Sequence, residues 1–196
     1  MNIYTTQLNN KKRYWAPGWL LMMLIISFPS PSVNAQENPI LEMTSYSSKL
    51  LKPDLTPNIR IFANGVIEIY RPTYMKKAGL FSGQLNQEQL SEINQLRDSL
   101  EKFDVIKAEE EYFMADLEQK QLTGQLYYSS ETIITQFKII RTENSLTSEK
   151  FILAESAREK STRFNQLEDW KIFSDAEKMM MNLEKNMDLT RIGEAN

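Results

Sequence analysis

The segment from residue 58 to residue 70, NIRIFANGVIEIY, constrains the fold more than any other part of the sequence. On each side of Asn64-Gly65, two isoleucines flank a single charged residue. Side chains alternate between the two faces of a strand, so this pattern predicts two strands with one apolar face each. Asn-Gly is a strong turn signal, and we therefore expect an antiparallel β-hairpin.

The length of the hairpin loop decides which side chains face each other. A two-residue loop would place Ile61 opposite Glu68 and would mix charge with hydrocarbon on both faces. A three-residue loop gives matched pairs: Ile59–Ile69, Arg60–Glu68 and Ile61–Ile67. Since a one-residue slip turns every side chain to the other face, burial of the four isoleucines favours the three-residue loop. Gly65 would then supply its left-handed third residue.

After the hairpin, the sequence predicts both strands and helices. A strand is predicted over 80–85, and Asn86 with Gln89 forms a capping-box pattern before a helix of about 15 residues. The acidic region 104–124 is ambiguous, with a possible helix over 108–120 ending near Gly124. The second half predicts strands over 126–128, 132–141 and 150–154, then a long helix over 166–187 with an apolar stripe.

These elements predict an α+β fold: a mainly antiparallel sheet with two amphipathic helices packed on one face. The order hairpin, strand, helix occurs in both halves, so a duplicated unit is a possible origin of the fold. We expect a signal peptide over 1–35, an extended arm over 36–57 with one short strand near 41–46, and a single α+β domain over 58–196.

The first 35 residues have the three parts of a secretory signal peptide. Basic residues at 11–13 precede an apolar stretch at 19–28, and small residues Val33 and Ala35 precede the predicted cleavage before Gln36. Spanning a bilayer takes roughly 20 apolar residues, so an uncleaved anchor is the less favoured alternative. Cleavage would leave 20 basic and 26 acidic side chains, a net charge of −6.

Two absences from the composition limit the chemistry. The chain has no cysteine and no histidine, which excludes disulfides, thiolate catalysis and the commonest general base and transition-metal ligand. An acidic chain also lacks the clustered cations that bind nucleic acid without sequence preference. We therefore expect a cysteine-free bacterial protein, periplasmic or extracellular, without cofactor, nucleic acid partner or membrane span after cleavage.

The pattern from residue 57 to 112 resembles an uncharacterised family of small bacterial exported domains. The likeness is carried by the hairpin around Asn64-Gly65, by Gly83, Leu85, Glu88 and Ile93, and by Phe103-Asp104 and Tyr112. The resemblance implies a hairpin, a glycine-containing strand, a helix, a second strand set and another helix. It implies no activity, because every matched residue is structural.

Three patterns are candidates for chemistry, and each has an ordinary structural explanation. The densest acidic cluster suits a glycosidase pair or a hard cation, but also a solvated helix face: Glu109, Glu110, Glu111, Asp116 and Glu118. Ser99 and Lys102 match a serine–lysine pattern at a spacing that chance also produces. Methionines 179–181 and Met187 suit copper(I), although methionine is commonly core filler.

The segment 70–77, YRPTYMKK, is the candidate binding loop. It concentrates Arg71, Tyr74, Lys76 and Lys77 in a chain of opposite net charge, which favours an anionic envelope component or protein partner. The alternative is a hairpin exit with solvated lysines.

The leading functional hypothesis is a non-enzymatic exported binding or interaction module of the cell envelope. The alternative is a carboxylate-dependent hydrolase acting on an envelope polymer, and a structural subunit of a larger assembly is a third possibility.

Overall fold

The computed structural model describes residues 38–124, 132–144 and 146–195, all within one compact unit, Gln36–Asn196. Its helices and strands, in chain order, are β1 Pro39–Ser47, β2 Ile59–Phe62, β3 Val66–Arg71, β4 Gly79–Gln84, α1 Gln87–Lys102, α2 Val105–Thr123, β5 Ile133–Glu143, β6 Leu146–Glu155, α3 Ala157–Arg163, α4 Glu168–Asn186 and β7 Thr190–Gly193. The predicted leader over 1–35 and the predicted strand over 126–128 lie outside the described residues.

The strands form one seven-stranded sheet in the order β6-β5-β1-β2-β3-β4-β7, and every neighbouring pair is antiparallel. The predicted α+β class is confirmed. The segment expected as an arm, 36–57, contains β1, which lies inside the sheet between β2 and β5. The domain therefore does not begin at residue 58, because β1 supplies the strand that joins the first hairpin to the second.

The first hairpin has the predicted register. Ile59 pairs with Ile69, Arg60 with Glu68 and Ile61 with Ile67. The Gly65 amide donates to the Phe62 carbonyl at 3.0 Å, and Gly65 has a φ of +81°. This is a type I turn followed by a left-handed residue, the loop that brings the isoleucines together.

The two faces of the sheet differ sharply. One face carries the apolar core, including the four hairpin isoleucines, Phe81, Phe137, Ile139 and Ile152. The opposite face carries a row of alternating charge across five strands: Glu68, Arg60, Glu42, Lys138 and Glu149. Neighbouring members of the row lie 2.7–3.8 Å apart. Paired opposite charges on neighbouring strands stabilise the sheet modestly and keep this face polar.

Helices cover the apolar face. Asn86 and Gln89 form the predicted capping box at the start of α1, whose buried residues are Ile93, Leu96 and Leu100. Helix α4 contributes the larger share of the core, with Trp170, Phe173, Ala176 and Met180 fully buried. Trp170 donates its indole hydrogen to the Ala108 carbonyl at 2.8 Å and so attaches α2 to α4.

Three other elements, α2, α3 and β7, differ from the sequence prediction. Helix α2 runs the whole length of the ambiguous region, because Asp104 accepts from two amides at its start and Gly124, with φ +68°, ends it. Helix α3 and strand β7 were not predicted. The second hairpin, β5–β6, is followed by α3, α4 and then β7, whereas the first hairpin is followed by β4 and α1.

Candidate functional site

Residues 70 and 71 of the predicted binding loop belong to β3, and the remaining residues, 72–77, lie in the connection from β3 to β4. Tyr74, Lys76 and Lys77 are exposed, and among the described residues no acidic group forms an ion pair with either lysine. Lys77 has a left-handed φ of 58°, which is uncommon for a residue other than glycine. The turn is closed by a hydrogen bond from the Met75 amide to the Pro72 carbonyl.

Arg71 has a different environment from the other candidate residues. Its Nε donates to Glu184 of α4 at 3.0 Å, and its guanidinium lies 4.7 Å from the centre of the Phe81 ring. These contacts bind β3 to the end of α4. Arg71 therefore has a structural role, and the exposed part of the candidate set consists of Tyr74, Lys76 and Lys77.

The acidic cluster lies along α2, and three of its five members pair with separate cations. Glu109 contacts Lys160 at 2.5 Å, and Glu111 contacts Lys107 at 3.5 Å. Asp116 contacts Lys120 at 2.5 Å and also pairs with Arg163. The hydrogen bond from Lys120 and the charge of Arg163 hold the pKa of the Asp116 carboxyl below its usual value despite its burial.

Helix α3 supplies two of these cations. Lys160 also lies over the Trp170 ring at 4.2 Å from its centre, and Arg163 donates to Gln119 at 3.0 Å. The acidic residues of α2 therefore dock the basic helix α3 onto the domain. Along α2, Glu109, Glu111 and Asp116 each pair with a cation, and the described contacts bring no two of them together at one substrate position.

The serine and methionine patterns have structural explanations. Ser99 donates its hydroxyl hydrogen to the Gln95 carbonyl of the same helix at 3.0 Å. Met180 is fully buried in the core, whereas Met181 is partly exposed. In the described part of the chain, no three acidic side chains converge in a way that would hold a metal ion.

A cavity of about 260 Å³ lies where β1, β5, α3 and α4 meet, and we call it the Glu177 pocket. Its lining residues are Ser45, Ile133, Ser156, Ala157, Arg158, Glu159, Glu177 and Met181. Ser156 has a left-handed φ of 49° where the chain turns from β6 into α3. A non-glycine residue in this conformation is uncommon, and such residues concentrate at ligand-binding sites.

Glu177 is the buried charge of this pocket. Its side chain is 8% exposed, and its Oε2 lies 3.5 Å from Nε of Arg158. Burial raises the pKa of the Glu177 carboxyl, while a hydrogen bond with Thr135 and the charge of Arg158 act in the opposite direction. Thr135 in turn lies 3.3 Å from the Ser45 hydroxyl. The pocket thus combines an apolar wall with a connected polar floor.

Sequence reasoning missed Glu177, although the signal is in the helix pattern. Residue 177 lies four positions after Phe173 and three before Met180, so it falls within the apolar stripe of α4. A carboxylate in an apolar stripe becomes buried on folding, so it must pair with a cation or belong to a functional site.

Comparisons of the chain with protein-family models, with curated proteins and with solved structures gave no match. The resemblance to a family of exported domains therefore stays a prediction. Within the described residues, no helix has the length and apolar character needed to cross a membrane.

Proposed function

We propose that the chain is exported and that its domain is a non-enzymatic binding module of the bacterial cell envelope. The observation that carries this proposal is the Glu177 pocket. Small-molecule sites combine a concave, mainly apolar wall with a few convergent polar groups, and groups with shifted pKa values concentrate in such sites. The pocket has both properties, with Ile133, Ala157 and Met181 beside the carboxylate of Glu177.

The chemistry of the pocket limits the ligand. Its volume, about 260 Å³, falls just below the usual range of roughly 300–1,000 Å³, which favours a small ligand. Glu177 offers carboxylate oxygens and Ser45 offers a hydroxyl oxygen, so the complementary ligand donates hydrogen bonds. A small compound with an amine or hydroxyl group and one apolar face fits these requirements.

Amide spectra of the isotope-labelled protein would test the pocket directly. A panel of small amines, amino sugars and polyols should contain compounds that shift the resonances of Ile133, Ala157 and Met181. Glu177→Gln should weaken their binding at least several-fold, because a charge-assisted hydrogen bond contributes about 1.5–3 kcal/mol. Glu92→Gln, on a separate groove beside α4, is the matched control and should bind normally. Equal binding by Glu177→Gln would contradict the proposal.

One observation favours a hydrolase as the second candidate. Glu159 lines the same pocket as Glu177, and the raised pKa of Glu177 suits a general acid. A two-carboxylate mechanism requires both groups, so Glu159→Gln and Glu177→Gln should each abolish release of soluble fragments from an envelope polysaccharide. A binding module releases none with any variant.

The basic loop is the proposed contact for a larger anionic partner. Tyr74 offers a large contact area, and the charges of Lys76 and Lys77 act over roughly 8 Å at physiological salt. Binding should therefore require close approach and weaken with added salt. Residue 71 is left unchanged in any test, because its ion pair with Glu184 is structural.

The test of the loop is a triple variant, Tyr74→Ser, Lys76→Gln and Lys77→Asn. Asparagine tolerates the left-handed backbone at position 77, so the variant should fold. Capture of anionic envelope material at low salt should fall. A control that neutralises the exposed Lys171 and Lys185 of α4 changes net charge equally and should retain capture. Equal loss in both variants would mean that only net charge matters.

A further inference from the structure

Strand β6 lies at one end of the sheet, with β5 on one side and no described strand on the other. The Ser156 amide donates to the Ile133 carbonyl at 2.9 Å, and the pairing between β5 and β6 continues without a shift. In an antiparallel pair, residues that exchange hydrogen bonds with the neighbouring strand alternate with residues that do not. Since Ser156 bonds to β5, the even-numbered residues of β6 are the ones that bond to β5. The odd-numbered residues therefore direct their amides and carbonyls outward: Thr147, Glu149, Phe151, Leu153 and Glu155.

Charged side chains often protect an edge strand from pairing, and two of those on β6 are held by neighbouring groups. The Lys150 ammonium donates to the carbonyls of Glu101 and Phe103. Glu149 lies 2.7 Å from Lys138 on the neighbouring strand. The strand exposes apolar side chains at Phe151, 56% exposed, and at Leu153, 45% exposed, with exposed Glu149 and Glu155 on either side of them. A ten-residue strand of this kind is suited to pairing.

A groove of about 400 Å³ borders the middle of this strand. It is lined by residues 102–106, at the junction of α1 and α2, and by residues 150–152 of β6. Ile106 is exposed beside it. A partner strand added to β6 would extend along this groove and cover part of its apolar lining.

The register of a second copy can be derived from the charges. A twofold axis perpendicular to the sheet keeps the apolar faces of both copies on one side, so odd-numbered residues face odd-numbered ones. Centring the axis on residue 149, 150 or 152 places like charges opposite each other: Glu149–Glu149, Lys150–Lys150 or Glu149–Glu155. Like charges directly opposite are destabilising. Centring it on residue 153 keeps only five residues of β6 paired.

Centring the axis on Phe151 avoids these conflicts. The two Phe151 side chains then face each other, Glu149 faces Leu153, and Thr147 faces Glu155. Pairing extends over residues 147–155, and each outward amide and carbonyl in that range gains a partner. A cross-strand aromatic pair adds about 0.2–1 kcal/mol relative to alanines. Each Phe151 keeps its own Lys138 ammonium 5.5 Å from its ring centre.

We propose that two copies of this chain pair through their β6 strands, antiparallel and centred on Phe151, to form one continuous sheet. The interface lies on β6 and the start of α2 and leaves the opposite edge strand, β7, uncovered. The pairing does not depend on ligand binding at Glu177.

The absence of native cysteine allows a direct test by single-cysteine variants of the purified protein. Facing residues of an antiparallel pair have Cα atoms about 4.5–5.5 Å apart, within the range of disulfides. Phe151→Cys should therefore form a disulfide-linked dimer under mild oxidation. Leu153→Cys should not, because residue 153 faces residue 149 and its own counterpart lies about 13 Å away. Cross-linking of Leu153→Cys in place of Phe151→Cys would overturn the register.

Sedimentation provides the second measurement. The unmodified chain should show a concentration-dependent dimer, and Phe151→Lys should be monomeric with an unchanged circular dichroism spectrum, since the side chain is exposed. Leu55→Lys, at another exposed apolar position, should dimerise normally. A monomeric unmodified chain, or a dimer that persists in Phe151→Lys, would overturn the proposal.

Discussion

Substitution of Gly65 tests the geometry of the first hairpin. The φ of +81° at Gly65 costs an L-residue about 1–2 kcal/mol. A Cβ there would also lie 2.8 Å from Gln84 Nε2, an atom that donates to the Asn64 carbonyl at 3.0 Å. Moving the Gln84 side chain away sacrifices that hydrogen bond, which contributes about 0.5–1.5 kcal/mol. We expect Gly65→Ala to lower the free energy of unfolding by about 2–3 kcal/mol in total.

Gly124 supplies a matched control for the conformational part of this cost. It has a φ of +68°, and no atom lies within 4 Å of a Cβ built on it. Gly124→Ala should therefore show the cost of the left-handed backbone alone, about 1 kcal/mol less than Gly65→Ala. Gly65→Asn should be less destabilising than Gly65→Ala, because asparagine tolerates a left-handed backbone, although its Cβ makes the same close contact with Gln84. Gly65→Val should be the most destabilising of the three, because a branched side chain tolerates positive φ poorly.

Urea unfolding, followed by circular dichroism, measures these differences. With a slope of roughly 1–3 kcal/mol per molar urea, Gly65→Ala should lower the midpoint by about 1 M. If Gly65→Ala and Gly124→Ala are equally destabilised, the contact with Gln84 contributes nothing. If neither is destabilised, the argument from the left-handed backbone is also wrong.

Four further outcomes are expected. Burial raises the native pKa of Glu177, so the contribution of this group to stability is full below its unfolded value near 4.5 and is lost as pH rises through the native pKa. Glu177→Gln should remove this part of the pH dependence in urea titrations at a series of pH values. Asp104→Ala removes a cap that accepts from two amides and should cost about 1 kcal/mol in the same assay, whereas Asp104→Ser should retain most of the stability. Amino-terminal sequencing of the exported protein should begin at Gln36, while full-length protein held in the membrane would contradict cleavage after Ala35. Chelators and reducing agents should leave the melting temperature unchanged; a chelator-induced loss of several degrees would indicate a bound cation.

The sequence by itself determined the elements whose causes are local. The register of the first hairpin follows from four isoleucines and one left-handed glycine within eleven residues. The start of α1 follows from Asn86 and Gln89, three positions apart, which satisfy each other's backbone amides. In each case the interacting groups are close in the chain, so only one local arrangement satisfies them.

Only the tertiary structure decided which distant segments meet. Strand β1 pairs with β5 about 90 positions later, and nothing local marks it as an interior strand. Helix α2 lacks a strong apolar stripe; Asp104 and Gly124 set its ends locally, but only the folded domain brings its acidic residues to the cations of α3.

For the candidate functional residues too, tertiary contacts decided what the local sequence could not. Arg71 looked like part of a binding loop until its partner, Glu184, was found 113 positions away. Glu177 gains its raised pKa from walls contributed by β5, α3 and α4, so its environment exists only once these elements pack. Periodicity along the chain shows which side chains turn inward, but it carries no information on which inward-facing groups meet. That depends on long-range pairing and packing, which create the buried surroundings that shift a pKa and shape a pocket.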